Sequence, residues 1–315
     1  MQAVPQLVDH LRRESGKVIV GQEEFRDQCL VTLLCRGHAL LEGVPGVAKT
    51  LLVKTLARIL ALEFQRVQCT SDLMPADIIG TNVLNMATSA FTLHKGPVFT
   101  DLLLVDEVNR MPPRTQAALL ECMEEYQVTI DGVRHQLPAE FSVFATQNPV
   151  EFEGTYPLPE AQLDRFLLKV RVPYPAAEHE VQILSNVQNG FEAREIEAVG
   201  IEPLPAGLLA QAQQEVKAVR VEPALFNYIV QIARRTRDWP SLSLGASPRA
   251  AISLMVASRA AAAVDARDYI IPDDVKAVAP AVLRHRVVLK PEADLEGLTA
   301  DLIIADILRA VEVPK

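Results

Sequence analysis

GVPGVAKT, residues 43–50, has the layout of a phosphate-binding loop with one substitution: a strict loop carries glycine directly before the lysine, and here that position is Ala48. The flanks fit such a loop. An apolar run (HALLE, residues 38–42) reads as a strand, the glycines as a turn, and a helical pattern starts at Lys49. Amides at a helix start lack intrahelical partners, and the helix dipole favours an anion there. In that geometry Lys49 reaches the β- and γ-phosphates of a nucleotide and the Thr50 hydroxyl ligates Mg2+. The plain alternative is a helix N-terminus that happens to carry a lysine. Ala48 itself raises a backbone question, because a positive φ is costly for a residue with a Cβ.

Outward from the loop, LLLVDE (residues 102–107) is an unbroken apolar run ending in two carboxylates. Such a run reads as a buried strand delivering acids to the carboxyl edge of a parallel sheet, where ligands of α/β folds bind. Asp106 is placed to hold Mg2+ through water, and Glu107 to orient and deprotonate an attacking water. Two acids capping a surface strand would look the same in isolation. FSVFATQN (residues 141–148) is a further buried strand with a polar end, and the Asn148 amide can bond a γ-phosphate or lytic water without adding charge. The bland reading of Asn148-Pro149 is a turn. Arg165, in DRF, and Arg249, in SPR, are single arginines. Either can serve a charged transition state or simply be solvated.

The 315 residues allow one large or two modest domains, and 49% apolar with 23% charged residues predicts a substantial core. The N-terminus, with charged residues where a signal peptide has its apolar run, predicts a cytoplasmic protein. No stretch reaches the roughly 18 apolar residues of a membrane span, so no stable membrane insertion is expected. Cys29, Cys35, Cys69 and Cys122 show neither CxxC pairing nor histidines at zinc spacing, and read as reduced thiols. The net charge of −9 and the lack of a Lys/Arg run argue against nucleic acid as the main partner, although a ring of subunits could still line a pore with a few cations.

Strand runs at 38–42, 64–69, 102–106 and 141–146 alternate with helices carrying Leu52, Leu56, Ile59 and Leu60, then Ala118, Leu119 and Met123. This is the signature of a parallel sheet flanked by helices. Residues 127–138 read as a hairpin turning at Asp131-Gly132, whereas 82–96 is either a second hairpin or an irregular loop. Prolines in VPYPAAEHE (residues 172–180) mark a linker. Beyond it six helical segments follow, at 176–189, 205–218, 222–237, 247–264, 272–286 and 297–311. The expected division is an α/β nucleotide-binding domain over 1–174 and an all-helical domain over 175–315.

Four ordered stretches, LLEGVPGVAKT, VDEVNRMPPRTQAALLECMEE, FATQNPVEFEGTYPLPEAQLDRFLLK and LGASPRA, together with VIVGQEE at residues 18–24, resemble the AAA+ ATPases and within them the MoxR family, over nearly the whole chain. That family commonly carries alanine before the lysine. The resemblance implies a P-loop domain with a parallel five-stranded sheet and a C-terminal helical lid, and ATP hydrolysis with Mg2+ bound by Thr50 and Asp106. It implies nucleotide contacts from Val20, Gly21 and Gln22 beside adenine, and from Gly43, Val44, Pro45, Gly46, Val47, Ala48, Lys49, Thr50 and Leu51. Asn148 looks like the first sensor, Arg165 like a finger reaching a neighbour's site, Arg249 like the second sensor on the lid, and Arg110 like a further basic residue near the interface. Residues 82–96 would be the helix-2 insert and 127–138 the pre-sensor hairpin, both facing a pore. A homo-oligomeric ring, hexameric by resemblance, would remodel or activate a protein client with a von Willebrand A domain partner. The alternatives are the ATPase subunit of a metal chelatase, a nucleic-acid-dependent ring motor, and a non-hydrolysing nucleotide switch.

Overall fold

The computed structural model describes residues 1–87, 89–148 and 154–314. In chain order the first half runs α1 (Ala3–Ser15), α2 (Glu23–Leu34), β1 (Ala39–Glu42), α3 (Lys49–Ile59), β2 (Phe64–Gln68), α4 (Pro75–Ile79), β3 (Gly80–Asn85), β4 (Ala90–Lys95), β5 (Leu102–Asp106), α5 (Pro113–Glu125), β6 (Gln127–Ile130), β7 (Val133–Gln136), β8 (Ser142–Gln147), α6 (Glu160–Leu163) and β9 (Leu168–Arg171). β2, β5, β8, β1 and β9 form, in that order, one five-stranded sheet in which every pairing is parallel.

The apolar runs follow from burial on both faces. Ala39, Leu41, Leu102, Leu104 and Phe144 point into one core with α1, α2 and α3, while Leu40, Leu103, Val105, Val143 and Ala145 point into a second core with α5. Neighbours on a strand alternate faces, so β1, β5 and β8 each contribute to both cores. The four residues read from the sequence as this helix's apolar face, Leu52, Leu56 and Ile59 of α3 and Leu60 at its C-cap, are all buried. The structure adds two helices before the sheet. In α1, Val4, Leu7, Val8 and Leu11 are buried, and the helix packs on the later helical region rather than standing apart.

Within the 82–96 segment the described residues pair as an antiparallel hairpin, β3 with β4, rather than forming an irregular loop. The pair β6–β7 turns at Asp131 (φ 49°) and Gly132 (φ 80°), the left-handed geometry of a two-residue hairpin turn. Asn82 Nδ2 donates to Asp131 Oδ2 at 2.8 Å and ties the two hairpins together.

Beyond β9 come α7 (Ala177–Gln188), α8 (Leu208–Ala218), α9 (Pro223–Arg237), α10 (Pro248–Val264), α11 (Pro272–Leu283), α12 (Pro291–Leu295) and α13 (Ala300–Ala310). Proline stands in the first turn of α9, α10, α11 and α12, where its missing N–H costs nothing. The region is helical as expected, with one addition: β10 (Leu242–Leu244) pairs antiparallel with β11 (Val288–Leu289). No helix among the described residues is long and apolar enough to cross a membrane. The four cysteines carry free thiols, and Cys29, Cys69 and Cys122 are buried.

His38 joins sheet to helix at the foot of β1. Its Nε2 donates to the Met123 carbonyl at 3.0 Å and its Nδ1 accepts from the Val143 amide at 2.9 Å, so both nitrogens are spent in the neutral form. Burial pushes its pKa from 6.5 down to about 4. Between those values the unfolded chain binds the proton and the folded chain does not, so stability present above pH 6.5 is lost as pH falls toward 4. The stake is on the order of 3 kcal/mol. Thermal midpoints of wild type should drop across that window, and His38→Gln should flatten the slope. An equal slope in both proteins would refute the assignment.

Candidate functional site

The loop between β1 and α3 shows why its residue types matter. A Cβ on Gly43 would meet the Val172 carbonyl oxygen at 2.6 Å, and Gly46 has φ +87°. Ala48 has φ +61° and ψ +22°, in the left-handed region. The loop thus holds an alanine where a glycine would be unstrained, at roughly 1–2 kcal/mol for a left-handed L-residue. This turn carries the chain directly into α3, whose first residues are Lys49 and Thr50.

A cleft of about 490 Å³ opens over the carboxyl edge of the sheet, lined by Pro45, Gly46, Ala48, Lys49, Thr50 and Leu51 with Asp106, Glu107 and Asn148. Residues read from three separate stretches, the loop, the end of β5 and the end of β8, therefore meet in one place. Next to it, a more apolar cavity of about 200 Å³ is lined by Val20, Gln22, Val47 and Leu51 on one side and Ile183, Asn186 and Val187 of α7 on the other. Gly46, Ala48, Leu51 and Ala193 line both, so the two spaces adjoin. Gly21 passes under the imidazole of His179, which leaves no room for a Cβ. Gly43 and Val44 contribute carbonyls rather than lining: Lys49 Nζ donates to both, to Val44 at 3.2 Å. Burial lowers the Lys49 pKa, against the pull of Asp106, Glu107 and Glu42.

The two acids are held differently. Asp106 is buried, accepts from Thr146 Oγ1 at 3.1 Å and pairs with Arg66 Nε at 2.6 Å. Glu107 has φ +58°, its amide donates to Thr146 Oγ1 at 2.9 Å, and its Oε2 accepts from Gln68 at 3.1 Å and from Arg110 at 3.2 Å. The strained backbone turns Glu107 out of the strand line, where the Asp106 and Glu107 side chains would otherwise diverge to opposite faces. Arg66 and Gln68 escaped the sequence reading. They lie on the same face of the edge strand β2, and only the register, which sets Gln68 beside Asp106, reveals their role.

Arg165 and Arg249 do not line the cleft. They meet elsewhere, at a separate hollow, where both pair with Glu124 of α5: Arg165 Nε at 2.8 Å to Oε2, and Arg249 Nη2 at 2.7 Å to Oε1. The loop bearing Arg165 is fastened from below by Arg286, whose side chain is 2% exposed. Its Nε donates to Asp164 Oδ1 at 2.6 Å, and its other nitrogens to the carbonyls of Asp164, Phe166 and Leu167. Ser247 Oγ adds a bond to Asp164 Oδ2 at 2.9 Å.

Residues 38–168 match the family described as "ATPase family associated with various cellular activities (AAA)", and residues 234–307 match the AAA lid domain. The chain is 46% identical to the uncharacterized protein YeaC of Bacillus subtilis, over 98% of this chain and 93% of that one. It is 43% identical to Chaperone MoxR1 of Mycobacterium tuberculosis, over 96% and 81%. With Protein MoxR of Methylorubrum extorquens the identity is 32%, over 95% and 92%. The crystal structure of a presumed ATPase from Cytophaga hutchinsonii superposes with a TM-score of 0.89 at 41% identity, covering 99% of this chain and 96% of that one.

Proposed function

The chain belongs to the MoxR family of AAA+ ATPases and is an ATPase, and from that premise we propose that it is a ring-forming cytoplasmic chaperone that remodels or activates a client protein. The observation that carries the ring is the separation of Arg165 and Arg249 from the cleft of their own chain. Two arginines that do not line the site at home are available to a neighbour's. Helix α7, beside the cleft, leaves Val181, Leu184 and Val187 67%, 71% and 58% exposed, an apolar strip of the kind that subunit contacts cover. Six copies is the number the family resemblance suggests, and a von Willebrand A domain protein is the partner it suggests.

In this reading the adenine lies in the apolar cavity between Val20-Gly21-Gln22 and α7, and the triphosphate lies over residues 43–50. Lys49 leaves the Gly43 and Val44 carbonyls for the β- and γ-phosphates. Glu107 accepts the proton of the attacking water, Asn148 bonds that water or the γ-phosphate, and arginines from the adjoining subunit offset charge on the transferring phosphoryl group. One hydroxyl, Thr50, and one buried carboxylate, Asp106, suit Mg2+, which takes most of its ligands from phosphate and water, and the described residues hold no cluster of three or more His, Cys, Asp or Glu that would bind a metal unaided. Bound there, Mg2+ would neutralise charge on the phosphates. The exposed Val83, Leu84, Met86 and Phe91 of β3–β4 give the hairpins an apolar surface for an unfolded client segment.

With an ATP analogue the protein should sediment as a ring several subunits in size, and the ATP-loaded Glu107→Gln chain should retain a client from native extract. A monomer at every concentration would overturn the proposal. A turnover rate raised by added DNA or RNA would favour the nucleic-acid motor instead.

A further inference from the structure

The arginine pair is built in three layers. The backbone of the Arg165 loop is held by Arg286 and by His285 Nε2, which donates to the Phe166 carbonyl at 3.0 Å, while the Asp164 side chain takes a bond from Ser247 Oγ, which directly precedes α10 and so sits two residues from Arg249. The two segments carrying the arginines are therefore linked to each other through side chains, Ser247 to Asp164 and Arg286 to Ser253. The two arginine side chains themselves are long, flexible and of like charge. Among the described residues, Glu124 is the one carboxylate paired with either of them. Each of its oxygens takes one guanidinium, and the arginines stay 28% and 47% exposed. Arg165 spends Nε and Nη2 on Glu124 and Arg249 spends Nη2, so each keeps donors for a second anion.

We propose that Glu124 is a positioning residue for hydrolysis: it gathers Arg165 and Arg249 into one donor cluster that a neighbouring subunit's γ-phosphate meets as a unit. This rests on the reading that both arginines act in trans. Three arginines converge on the hollow, the third being the buried Arg286, and without the carboxylate the two exposed cations would repel and splay. Glu124 touches no reacting atom. Its effect falls on the rate rather than on nucleotide affinity, because the neighbour's own loop and apolar cavity hold its nucleotide and the cluster meets only the γ-phosphate.

The test uses two defective full-length chains mixed together. One carries Lys49→Ala, with no working cleft but intact arginines. The other carries Arg165→Ala and Arg249→Ala, with an intact cleft and no arginines to offer. The mixture should regain ATPase activity at the interfaces where the first chain faces the second. Adding Glu124→Gln to the arginine-supplying chain should then lower the recovered kcat by about tenfold or more, since small misplacements of reacting partners cost up to about a hundredfold, with KM for ATP within about twofold. The same change on the arginine-less chain should cost several-fold less. Glu124→Asp, which keeps the charge, should return part of the loss, and Gln, being isosteric, should leave the melting temperature close to that of the parent. Equal losses from both placements, no loss, or a gain would overturn the inference while leaving the trans reading intact. A parental mixture without any recovery would overturn the trans reading, and this inference with it.

Discussion

Glu107→Gln is expected to lower kcat by about 10²- to 10⁴-fold, the usual contribution of a positioned general base, while the dissociation constant for ATP stays within about twofold. The amide has the size of the carboxylate and can still accept from Gln68 and Arg110, whose donors are 3.1 and 3.2 Å from Glu107 Oε2 in wild type. The φ of +58° that aims the side chain belongs to the backbone and is set by the Thr146 bond to the amide, so the substitution leaves it in place. What vanishes is proton affinity, which binding does not need and water activation does. Single-turnover kinetics with a parallel binding titration separates the two. A residual rate above a tenth of wild type would assign the base to another group.

The legible part of the molecule was the part written in local periodicity. Runs such as LLLVD had to be doubly buried strands, because no alternating polar residue offers a solvent face, and the sheet buries every residue of that run. The acids at its end, the loop before α3 and Asn148 were legible as polar residues at strand ends. Helix α1 is written in the same periodicity, with Val4, Leu7, Val8 and Leu11 on its buried face. Arg66, Gln68, Glu124 and Arg286 were not legible at all. Their roles depend on strand register or on contacts between residues 41 to 125 positions apart, and a lone Arg or Glu has no sequence mark that tells such a partner from a solvated charge. The wall that α7 gives the apolar cavity was hidden for the same reason: its residues are ordinary helix residues until the fold brings them against Val20 and Leu51. Position 48 was half legible. The sequence showed an alanine where φ could be positive, and the structure shows that φ is positive and the alanine bears it.

Lys49→Ala is expected to weaken ATP binding by about 10²- to 10⁴-fold, from the loss of two charge-assisted contacts at roughly 1.5–3 kcal/mol each. The environment makes this larger than the loss of a surface lysine. Lys49 is half-buried, and the charges of Asp106, Glu107 and Glu42 act on it, so its removal leaves a triphosphate facing acids without its cation. A second effect must be kept apart from the first. Without nucleotide, the ammonium caps the Gly43 and Val44 carbonyls, and the variant could deform the loop rather than merely lose a charge. Adenosine decides between them, because it reaches the apolar cavity but carries no phosphate. If Lys49 acts by charge, adenosine binding stays near the wild-type value while ATP binding falls, and the affinity lost from ADP is smaller than that lost from ATP because one phosphate contact is missing from the start. If the loop deforms, all three ligands weaken together, since Gly46, Ala48 and Leu51 wall both the cleft and the apolar cavity. Unchanged ATP affinity would remove Lys49 from the phosphate site altogether.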